Sequence, residues 1–412
     1  MGKLGSGPLD QPLAVVGITH PQSCIILRGR LRALKEAGFR VVLICSSGAM
    51  ADDLASHEGA LFLSIPMQRT IAPLADMVSV FRLWRVLREL SPALTEFSTP
   101  KAGLLGNIAA WLCGVPARVY FLRGLRFETS RGLQRILLKA MERLAAACAH
   151  VVLCNSESLR RQVCSLGIAP EGKLRVIGCG SSNGVDTVRF APGPDRMRPQ
   201  LGITAEVPVV GYVGRLTQDK GIPDLVEAFN QLLAFLPHTR LLLVGWFDES
   251  EDALSVFQRA KIEAHPRIVC TGFVPDTAPY YRAMDLLVLP TWREGFPNVA
   301  LEAAASGLPV ITTLSTGARD AVLSGVTGLR VPPGDAFTLS EAMLILLQHP
   351  GPRLAMGRAA RHWVTQQFMK RRVLGNTTTF YKQLLRDAEE REAARQPAAM
   401  ESEVKDAAAV AD

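Results

Sequence analysis

The sequence lacks several features that would assign a protein to a membrane, metal-binding or nucleic-acid-binding class. Its longest apolar run, residues 144–154, contains His150 and is shorter than the ~18 residues that a transmembrane helix needs. The first residues are polar and glycine-rich, unlike a signal peptide, and the eight cysteines form no C-x-x-C pair. No zinc module, recognition helix or aromatic stacking motif occurs, so nucleic acid is not an expected partner. We therefore expect a reduced, cytoplasmic protein.

The sequence also has no D-x-D triplet, an arrangement of carboxylates that would suit a divalent ion. The adjacent pair Asp52 and Asp53 lies at a predicted helix start, remote from the motifs described below. We therefore predict neither a metal ion nor a cofactor.

Apolar residues are abundant. They make up 48% of the 412 residues, with 20% charged, which is typical of a globular protein of two or three domains. Residues 1–186 hold 22 Lys/Arg against 13 Asp/Glu, residues 187–386 hold 21 against 17, and residues 387–412 hold 3 against 8. The acidic end is rich in Ala and Glu without an apolar stripe, so we expect a frayed helix and then disorder from residue 387.

Short apolar runs alternate with amphipathic stretches along the chain, which predicts an α/β fold with parallel sheets covered by helices. In the first half, strands are predicted at 13–18, 40–45, 61–65, 93–97, 117–122, 150–154 and 174–177, and helices at 27–37, 73–90, 101–113, 132–147 and 156–166. In the second half, strands are predicted at 207–213, 240–244, 268–271, 285–289, 308–312 and 328–331, and helices at 220–235, 251–263, 277–283, 298–306, 336–348, 352–367 and 371–386.

A Gly-, Ser- and Pro-rich break at 178–194 predicts the boundary between two Rossmann-like domains. We assign residues 1–186 to the first domain and 187–370 to the second. In doubly wound sheets, ligands bind beyond the carboxyl ends of the strands, so a cleft between the two domains is the expected site.

Two glutamates separated by seven residues mark the second domain. Glu294 lies in the loop before a predicted helix and Glu302 lies about one turn inside it. Both carboxylates can border the helix N-terminus, where free backbone N–H groups attract phosphate. The alternative is a solvated loop residue and an ordinary helix residue, which the strand–loop–helix context disfavours.

A glycine-containing loop with two cations follows the first strand of the same domain. In GYVGRLTQDKG, Gly211 and Gly214 permit close backbone approach, while Arg215 and Lys220 flank the next helix start. A guanidinium fork and an ammonium at a helix N-terminus suit a diphosphate. Glycine-rich loops alone are weak signals, but here the loop and the glutamate pair occur in one domain.

Together these motifs resemble the retaining glycosyltransferases of family 4, which have the GT-B fold of two Rossmann-like domains facing across a cleft. The resemblance spans roughly residues 13–385. Its second-half elements are Gly214-Arg215 with Lys220-Gly221, GFVPD at 272–276, and the two glutamates. In the first half, four stretches narrow it to a bacterial subgroup that builds capsular, exopolysaccharide and lipid-linked glycans: IPMQRTIAPLADM, STPKAGLLGNIAA, GLRFETSRG and GSSNGVD.

The resemblance implies an acceptor-binding first domain, with helix 371–386 packing back on it, and a nucleotide-sugar-binding second domain. Arg215 and Lys220 would hold the donor diphosphate, Glu294 would contact sugar hydroxyls, and Glu302 would bind the ribose. The reaction would be a front-face displacement in which the departing phosphate helps to deprotonate the acceptor. The other donor contacts implied are Gly214, Phe273, Val274, Phe296, Asn298 and Val299.

One first-domain position departs from the family pattern. Many relatives carry a histidine before a glycine after the fifth strand, where this chain has Arg123. Arginine stays protonated and cannot act as a base, but it could contact the phosphate, sugar or acceptor, or form a salt bridge with Glu128 or Glu96. Four further residues are candidates for acceptor or sugar contact, although each could be structural: His20, Ser98, Thr99 and Lys101.

Two basic amphipathic segments in the first half suggest peripheral contact with an anionic inner leaflet. The first spaces Phe81, Trp84, Leu87 and Leu90 beside an arginine stripe, and the second covers residues 132–144. The alternative is that the apolar stripes face the core and the cations only solvate the outer face. The cations concerned are Arg82, Arg85, Arg88, Arg135, Lys139 and Arg143.

The sequence therefore predicts a metal-independent transferase that moves a sugar from a nucleotide-sugar, with UDP the favoured nucleotide, to a glycan on a polyprenyl diphosphate. An epimerase or hydrolase of nucleotide-sugars is the second hypothesis. A non-catalytic nucleotide-binding protein is the third, because the usual histidine is absent.

Overall fold

The apolar runs of the first half form a parallel sheet. The computed structural model describes residues 11–128, 130–249 and 252–409. The strands of the first sheet are β1 Leu13–Gly17, β2 Arg40–Cys45, β3 Leu61–Ser64, β4 Leu94–Ser98, β5 Ala117–Leu122, β6 Val151–Cys154 and β7 Leu174–Arg175. Its helices are α1 Arg30–Glu36, α2 Ala49–Glu58, α3 Pro73–Leu90, α4 Pro100–Leu112, α5 Gly132–Cys148 and α6 Glu157–Ser165.

The second half forms another parallel sheet. After the short helix α7 Met197–Gln200, its strands are β8 Val209–Val213, β9 Arg240–Val244, β10 Ile268–Cys270, β11 Leu286–Leu289, β12 Val310–Thr313 and β13 Gly328–Val331. The remaining helices are α8 Ile222–Leu233, α9 Val256–Glu263, α10 Ala278–Tyr281, α11 Asn298–Ala305, α12 Ala336–Gln348, α13 Pro350–Gln367 and α14 Lys370–Ala409.

Both sheets change winding direction near their centre. The strand orders are β3-β2-β1-β4-β5-β6-β7 and β10-β9-β8-β11-β12-β13, with parallel pairing between neighbours. In the first sheet, β2 and β3 lie on one side of β1, and the chain then crosses to place β4 on the other side of β1. In the second sheet, β11 is placed beside β8 in the same way. Loops diverge at such points and open a crevice beyond the strands' carboxyl ends. The predicted architecture of two doubly wound Rossmann-like domains is confirmed.

The chain crosses between the domains twice, and the two crossings lie side by side. The Val185 amide donates to the Phe368 carbonyl at 2.8 Å, and the Lys370 amide donates to the Val185 carbonyl at 2.9 Å. We call this pairing the hinge. The predicted break at 178–194 contains the first crossing.

Beyond the hinge, α14 packs on the first domain. Tyr381, Leu384 and Leu385 are buried in one apolar core with residues of α1, β1 and β2. The Tyr381 hydroxyl donates to Glu96 Oε2 at 2.7 Å, Arg30 Nε donates to the same oxygen at 2.8 Å, and Arg30 Nη2 donates to the Tyr381 hydroxyl at 3.0 Å. These three residues, the buried polar cluster below, fix α14 against β4.

Several element boundaries differ from the sequence-based expectation. Only a helix start at Asp52 and Asp53 was predicted for α2, because its alanine-rich sequence carries little apolar periodicity. The helix predicted at 27–37 begins only at Arg30, because Gly29 before it has a φ of 82° that a helix cannot contain, and a 3-10 helix precedes it at Pro21–Leu27. The helix predicted from 251 begins at Val256, where Ser255 forms a capping box with Gln258.

The last helix also extends further than expected. We predicted a frayed helix and then disorder after residue 386, and the backbone of α14 is helical through Ala409. The composition of this segment accounts for the difference, since Ala, Glu and Arg are strong helix formers. Residues 410–412, which the expectation also covered, lie outside the described residues.

Within the described part of the chain, no helix is both long enough and apolar enough to cross a bilayer.

The Tyr381→Phe variant tests the buried polar cluster. Removing the hydroxyl deletes a donor to Glu96 and an acceptor for Arg30 while leaving the ring in place. We expect the free energy of unfolding of the first domain to fall by about 2 kcal/mol, measured by urea denaturation. The exposed Thr379→Ala change on the same helix serves as control, and equal midpoints for Tyr381→Phe and wild type would contradict the assignment.

Candidate functional site

The loops at the carboxyl ends of both sheets meet in one cleft. Across it, the Thr316 hydroxyl donates to Glu128 Oε1 at 3.0 Å, and the Ser158 amide donates to Asp320 Oδ2 at 2.9 Å. The Gly317 amide donates to the Ser158 hydroxyl at 2.7 Å. The first-domain partners follow β5 and β6, and the second-domain partners follow β12. Loops of both domains therefore line the same space.

The backbone segments of Arg123 and Glu294 approach each other closely across the cleft. A Cβ atom at Gly295 would lie 1.8 Å from the Arg123 carbonyl oxygen, so only glycine fits between the two backbones. The two residues that the sequence singled out on opposite halves thus lie on adjoining loops. No spacing in the sequence indicated this contact.

Lys220 and Glu294 form an ion pair. Lys220 follows β8 and Glu294 follows β11, and these strands are neighbours in the second sheet. The same two loops are joined by a second pair, in which Arg293 Nη2 contacts Asp219 Oδ2 at 3.1 Å. Two pairs between adjacent loops hold the ammonium and the carboxylate at one place in the cleft.

Arg215 is also paired with a carboxylate, that of Asp248 in the loop after β9. The preceding residue, Gly214, has a φ of 147°, and its amide donates to the Val244 carbonyl at 3.0 Å. Both cations predicted to bind a diphosphate therefore have carboxylate partners here. An anionic ligand that binds them would replace those partners.

An aromatic pair borders the cleft beyond β9 and β10. Trp246 and Phe273 stack edge to face with ring centroids 5.6 Å apart, although they are 42% and 71% exposed. Val274 is half-buried beside them. Trp246 was not predicted. Its signal was its position two residues after a buried strand, the same position that Arg215 has after β8.

Helix α11 carries the remaining second-domain candidates. Asn298 and Val299 begin it, so their amides lack acceptors within the helix. The Asn298 Oδ1 atom accepts from the Ser181 hydroxyl of the first domain at 3.3 Å. The Phe296 ring is buried against Phe368 at 5.3 Å, so only its backbone is available to a ligand.

Glu302 lies on the same helix and is held by a tyrosine. The buried Tyr281 hydroxyl donates to Glu302 Oε2 at 2.8 Å. Burial raises the pKa of Glu302 to about 7, and the hydrogen bond from Tyr281 opposes this effect. Tyr281 was missed because an isolated tyrosine in a short apolar helix carries no distinguishing pattern.

The candidate residues of the first domain are buried or half-buried and contact other residues of that domain. Lys101 is buried, and its ammonium contacts Asp76 Oδ2 of α3 at 2.5 Å. The Thr99 hydroxyl is 2.7 Å from that of Thr19, which ties the end of β4 to the end of β1. Ser98 is buried at the end of β4.

His20 follows β1 and is half-buried. Its Nδ1 atom accepts from the Gln22 amide at 3.2 Å and lies 3.3 Å from Arg69 Nη2. Burial and the Arg69 charge lower the pKa of His20 below its usual value. A neutral imidazole at the lip of the cleft is the result near pH 7.

Of the two salt bridges considered from the sequence, Arg123 forms the one with Glu96, although at a distance longer than a hydrogen bond. Glu128 accepts from Thr316 instead, and Arg123 Nη2 is 3.8 Å from Glu96 Oε1. The guanidinium carbon lies 4.3 Å from the centre of the Phe121 ring, a cation–π contact.

Among residues 11–128, 130–249 and 252–409, no group of three or more His, Cys, Asp or Glu side chains is arranged to hold a metal ion.

Known proteins resemble both halves and the whole. Residues 207–349 match the family described as glycosyl transferases group 1, and residues 27–180 match the glycosyl transferase 4-like domain. The capsular polysaccharide biosynthesis glycosyltransferase CapM of Staphylococcus aureus is 32% identical over 373 residues, which cover 90% of this chain and 97% of CapM. The UDP-Gal:alpha-D-GlcNAc-diphosphoundecaprenol alpha-1,3-galactosyltransferase of Escherichia coli is 29% identical, over 80% of this chain and 87% of that protein.

A solved structure shares the fold. Anabaena HepE in complex with UDP and glucose superposes with a TM-score of 0.72 at 21% identity, over 90% of this chain and all of that one. The GT-B arrangement expected from the sequence is thereby confirmed.

The Glu302→Gln variant tests the environment of Glu302. A carboxyl group with a pKa of about 7 when folded and 4.5 when unfolded binds its proton more tightly in the folded protein. The free energy of unfolding should therefore be highest below pH 4.5 and fall as pH rises through 7. We expect Glu302→Gln to stabilise the protein by about 2 kcal/mol more at pH 8 than at pH 5, measured by urea denaturation. A pH-independent difference would contradict this environment.

Proposed function

Because the chain belongs to the group 1 and 4-like family of glycosyltransferases, we propose that it transfers a sugar from a UDP-sugar, with retention of configuration, to a glycan carried on a polyprenyl diphosphate. The observation that carries the proposal is the placement of Arg215 and Lys220 after β8 beside Glu294 and Glu302, which follow the neighbouring strand β11. The relatives' activities support its context, since CapM acts in capsular polysaccharide biosynthesis and the Escherichia coli relative uses UDP-Gal and a diphosphoundecaprenol acceptor.

In the proposed donor complex, the diphosphate replaces the carboxylates of Asp248 and Glu294 as the ion-pair partner of two cations. Arg215 leaves Asp248 and Lys220 leaves Glu294, so each phosphate gains a charge-assisted hydrogen bond. The freed Glu294 accepts hydrogen bonds from sugar hydroxyls. Since the leaving nucleotide gains negative charge as the glycosidic bond breaks, two fixed cations lower the barrier without a metal ion.

The nucleoside occupies the other end of the donor site. Glu302 accepts from the ribose hydroxyls, and the edge of the Trp246–Phe273 pair packs on the base. The free backbone N–H groups at the N-terminus of α11 carry partial positive charge and face the same region. The acceptor approaches from the first domain, past His20 and Ser98. The departing phosphate takes the proton of the acceptor hydroxyl on the same face of the sugar, which preserves configuration.

A donor panel tests the proposed reaction. The purified protein is mixed with UDP-, GDP- and ADP-sugars, with and without bacterial lipid extract, and products are followed by mass spectrometry. We expect UDP release that depends on lipid, together with a lipid product one sugar heavier. Lipid-independent release would favour a hydrolase, conversion of the donor to an isomer would favour an epimerase, and binding without turnover would contradict the transferase.

Variants of the ion pair separate binding from transfer. Lys220→Gln removes a diphosphate contact, so we expect UDP affinity to fall by about 10- to 100-fold. Glu294→Gln frees Lys220 from its carboxylate, so UDP affinity should be unchanged or tighter, while transfer falls by about 100-fold. Isothermal titration and product formation measure these effects, with the exposed Lys382→Gln change as charge control. Loss of UDP binding by Glu294→Gln would contradict the assigned roles.

We also propose that the first domain docks on an anionic membrane. Helices α3 and α5 both pack against α4, so they flank it on one face of the sheet. Their starts, which follow strand ends near the cleft, expose Leu74, Phe81, Leu133 and Ile136, the last two at 84% and 66%. The cations of both helices complement anionic lipid headgroups, and a lipid-bound acceptor would then reach the cleft directly.

Of the apolar residues that the sequence indicated on α3, only Phe81 is exposed. Leu87 is buried in the first-domain core, and Trp84 is half-buried with the Arg88 guanidinium 5.4 Å from its ring. The predicted stripe therefore faces mostly inward. The outward apolar residues occupy the first half of the helix, at Leu74, Met77, Val78 and Phe81.

Vesicle sedimentation tests docking. The double change Leu133→Ser and Ile136→Ser removes two exposed apolar side chains without altering the core, so we expect weaker binding to phosphatidylglycerol vesicles. Val256→Ser with Phe257→Ser, which removes two exposed residues from the second domain, is the matched control. Equal loss of binding in both double variants would contradict a first-domain docking face.

A further inference from the structure

A buried arginine without a hydrogen-bond partner lies where the two domains touch. Arg123 Nε, Nη1 and Nη2 are all closed to solvent, and none has a hydrogen-bond partner among the described residues. The side chain as a whole is 12% exposed. A guanidinium carries five N–H donors, and leaving them unmet in the interior is costly.

The neighbouring charges do not neutralise Arg123. Its nearest carboxylate oxygen is Glu96 Oε1 at 3.8 Å, while the other oxygen of Glu96 accepts from both Arg30 and Tyr381. Arg30 is fully engaged, because its third contact is a 2.9 Å donation to the Ser182 carbonyl. Two guanidinium groups thus share one carboxylate, and the group carries an excess positive charge.

The surroundings of Arg123 disfavour its positive charge, which a bound anion would stabilise. Both guanidinium carbons lie near the Phe121 ring, Arg30 at 4.6 Å and Arg123 at 4.3 Å from its centre. Burial, and then the charge of Arg30, lower the pKa of Arg123 to about 9. A bound anion would relieve both effects, and arginine is well suited to a bidentate carboxylate.

Other polar groups without partners occur at the same sheet edge. Ser98 Oγ ends β4 and Asn155 Oδ1 follows β6, on the two strands that flank β5, and both are buried without a hydrogen bond among the described residues. A Cβ atom at Gly295 would lie 2.9 Å from Asn155 Nδ2, so the asparagine adjoins the loop of Glu294. A hydroxyl, an amide and a guanidinium suit a ligand that carries both hydroxyl groups and an anion.

We propose that Arg123 binds a carboxylate on the transferred sugar, so that the donor is a nucleotide-activated acidic sugar. This proposal rests on the function proposed above. The donor diphosphate already has Arg215 and Lys220 in the second domain, whereas Arg123 adjoins the loop of Glu294, which contacts the sugar. Because the three nitrogens are closed to solvent in this structure, the sugar enters when the domains part at the hinge.

Paired donors test the proposal directly. Isothermal titration compares UDP-glucuronate with UDP-glucose, and UDP-galacturonate with UDP-galactose, on wild type and Arg123→Gln. We expect wild type to bind the acidic member of at least one pair about 10- to 100-fold more tightly, and Arg123→Gln to lose that preference while binding UDP normally. Arg123→Lys should restore part of the preference, and Arg131→Gln, which changes an exposed arginine of the same domain, should retain all of it.

Two outcomes would overturn the proposal without affecting the proposed function. One is wild type that binds UDP-sugars but does not prefer the acidic member of either pair. The other is Arg123→Gln that binds all UDP-sugars as wild type does but loses affinity for farnesyl diphosphate, which would assign Arg123 to an acceptor phosphate. Wild type that binds no UDP-sugar would contradict the proposed function itself.

Thermal denaturation of each variant checks folding, and we expect Arg123→Gln to be at least as stable as wild type.

Discussion

Parallel pairing of β8 with β11 is the constraint on which the candidate site depends. Since both strands end at the same edge of the sheet, the loops that follow them must lie side by side, although Lys220 and Glu294 are far apart in sequence. The salt bridge between Asp219 and Arg293 is a second contact between the same two loops. The equivalent pairing of β1 with β4 brings Thr19 and Thr99 together in the first domain. Each half of the cleft is therefore fixed by sheet topology before any ligand contributes.

The hinge and the buried polar cluster hold these two halves in relation to each other. Backbone hydrogen bonds at Val185 join the two crossings, and α14 returns the chain to the first domain through Tyr381. Removing charges from water is costly unless they are paired and hydrogen-bonded, and Arg30 and Glu96 satisfy both conditions. Arg123 does not, although it adjoins the same cluster. Arg30 therefore has a structural role, whereas Arg123 has N–H donors that a ligand can use.

The sequence was sufficient to predict the fold and the location of the cleft, because strand–helix alternation and the strand ends follow from local pattern. It also singled out Lys220, Arg215 and the two glutamates as candidates, because their residue types suit a nucleotide-sugar. It could not predict which side chains pair across the cleft, since the contact of Gly295 with Arg123 depends on how the domains dock. Tyr281 and Trp246 carry no motif, and their roles arise only from tertiary packing. The sequence left both a core-facing and an exposed apolar stripe open for α3, because helical spacing alone does not tell a core face from an exposed one.

The central claim is that a donor diphosphate replaces the carboxylate partners of Lys220 and Arg215. A crystal structure of the protein with UDP tests it most directly. The account predicts that the diphosphate contacts both cations, that Glu294 and Asp248 have moved away from them, and that Glu302 accepts from the ribose. UDP bound elsewhere, or bound with both ion pairs intact, would contradict it.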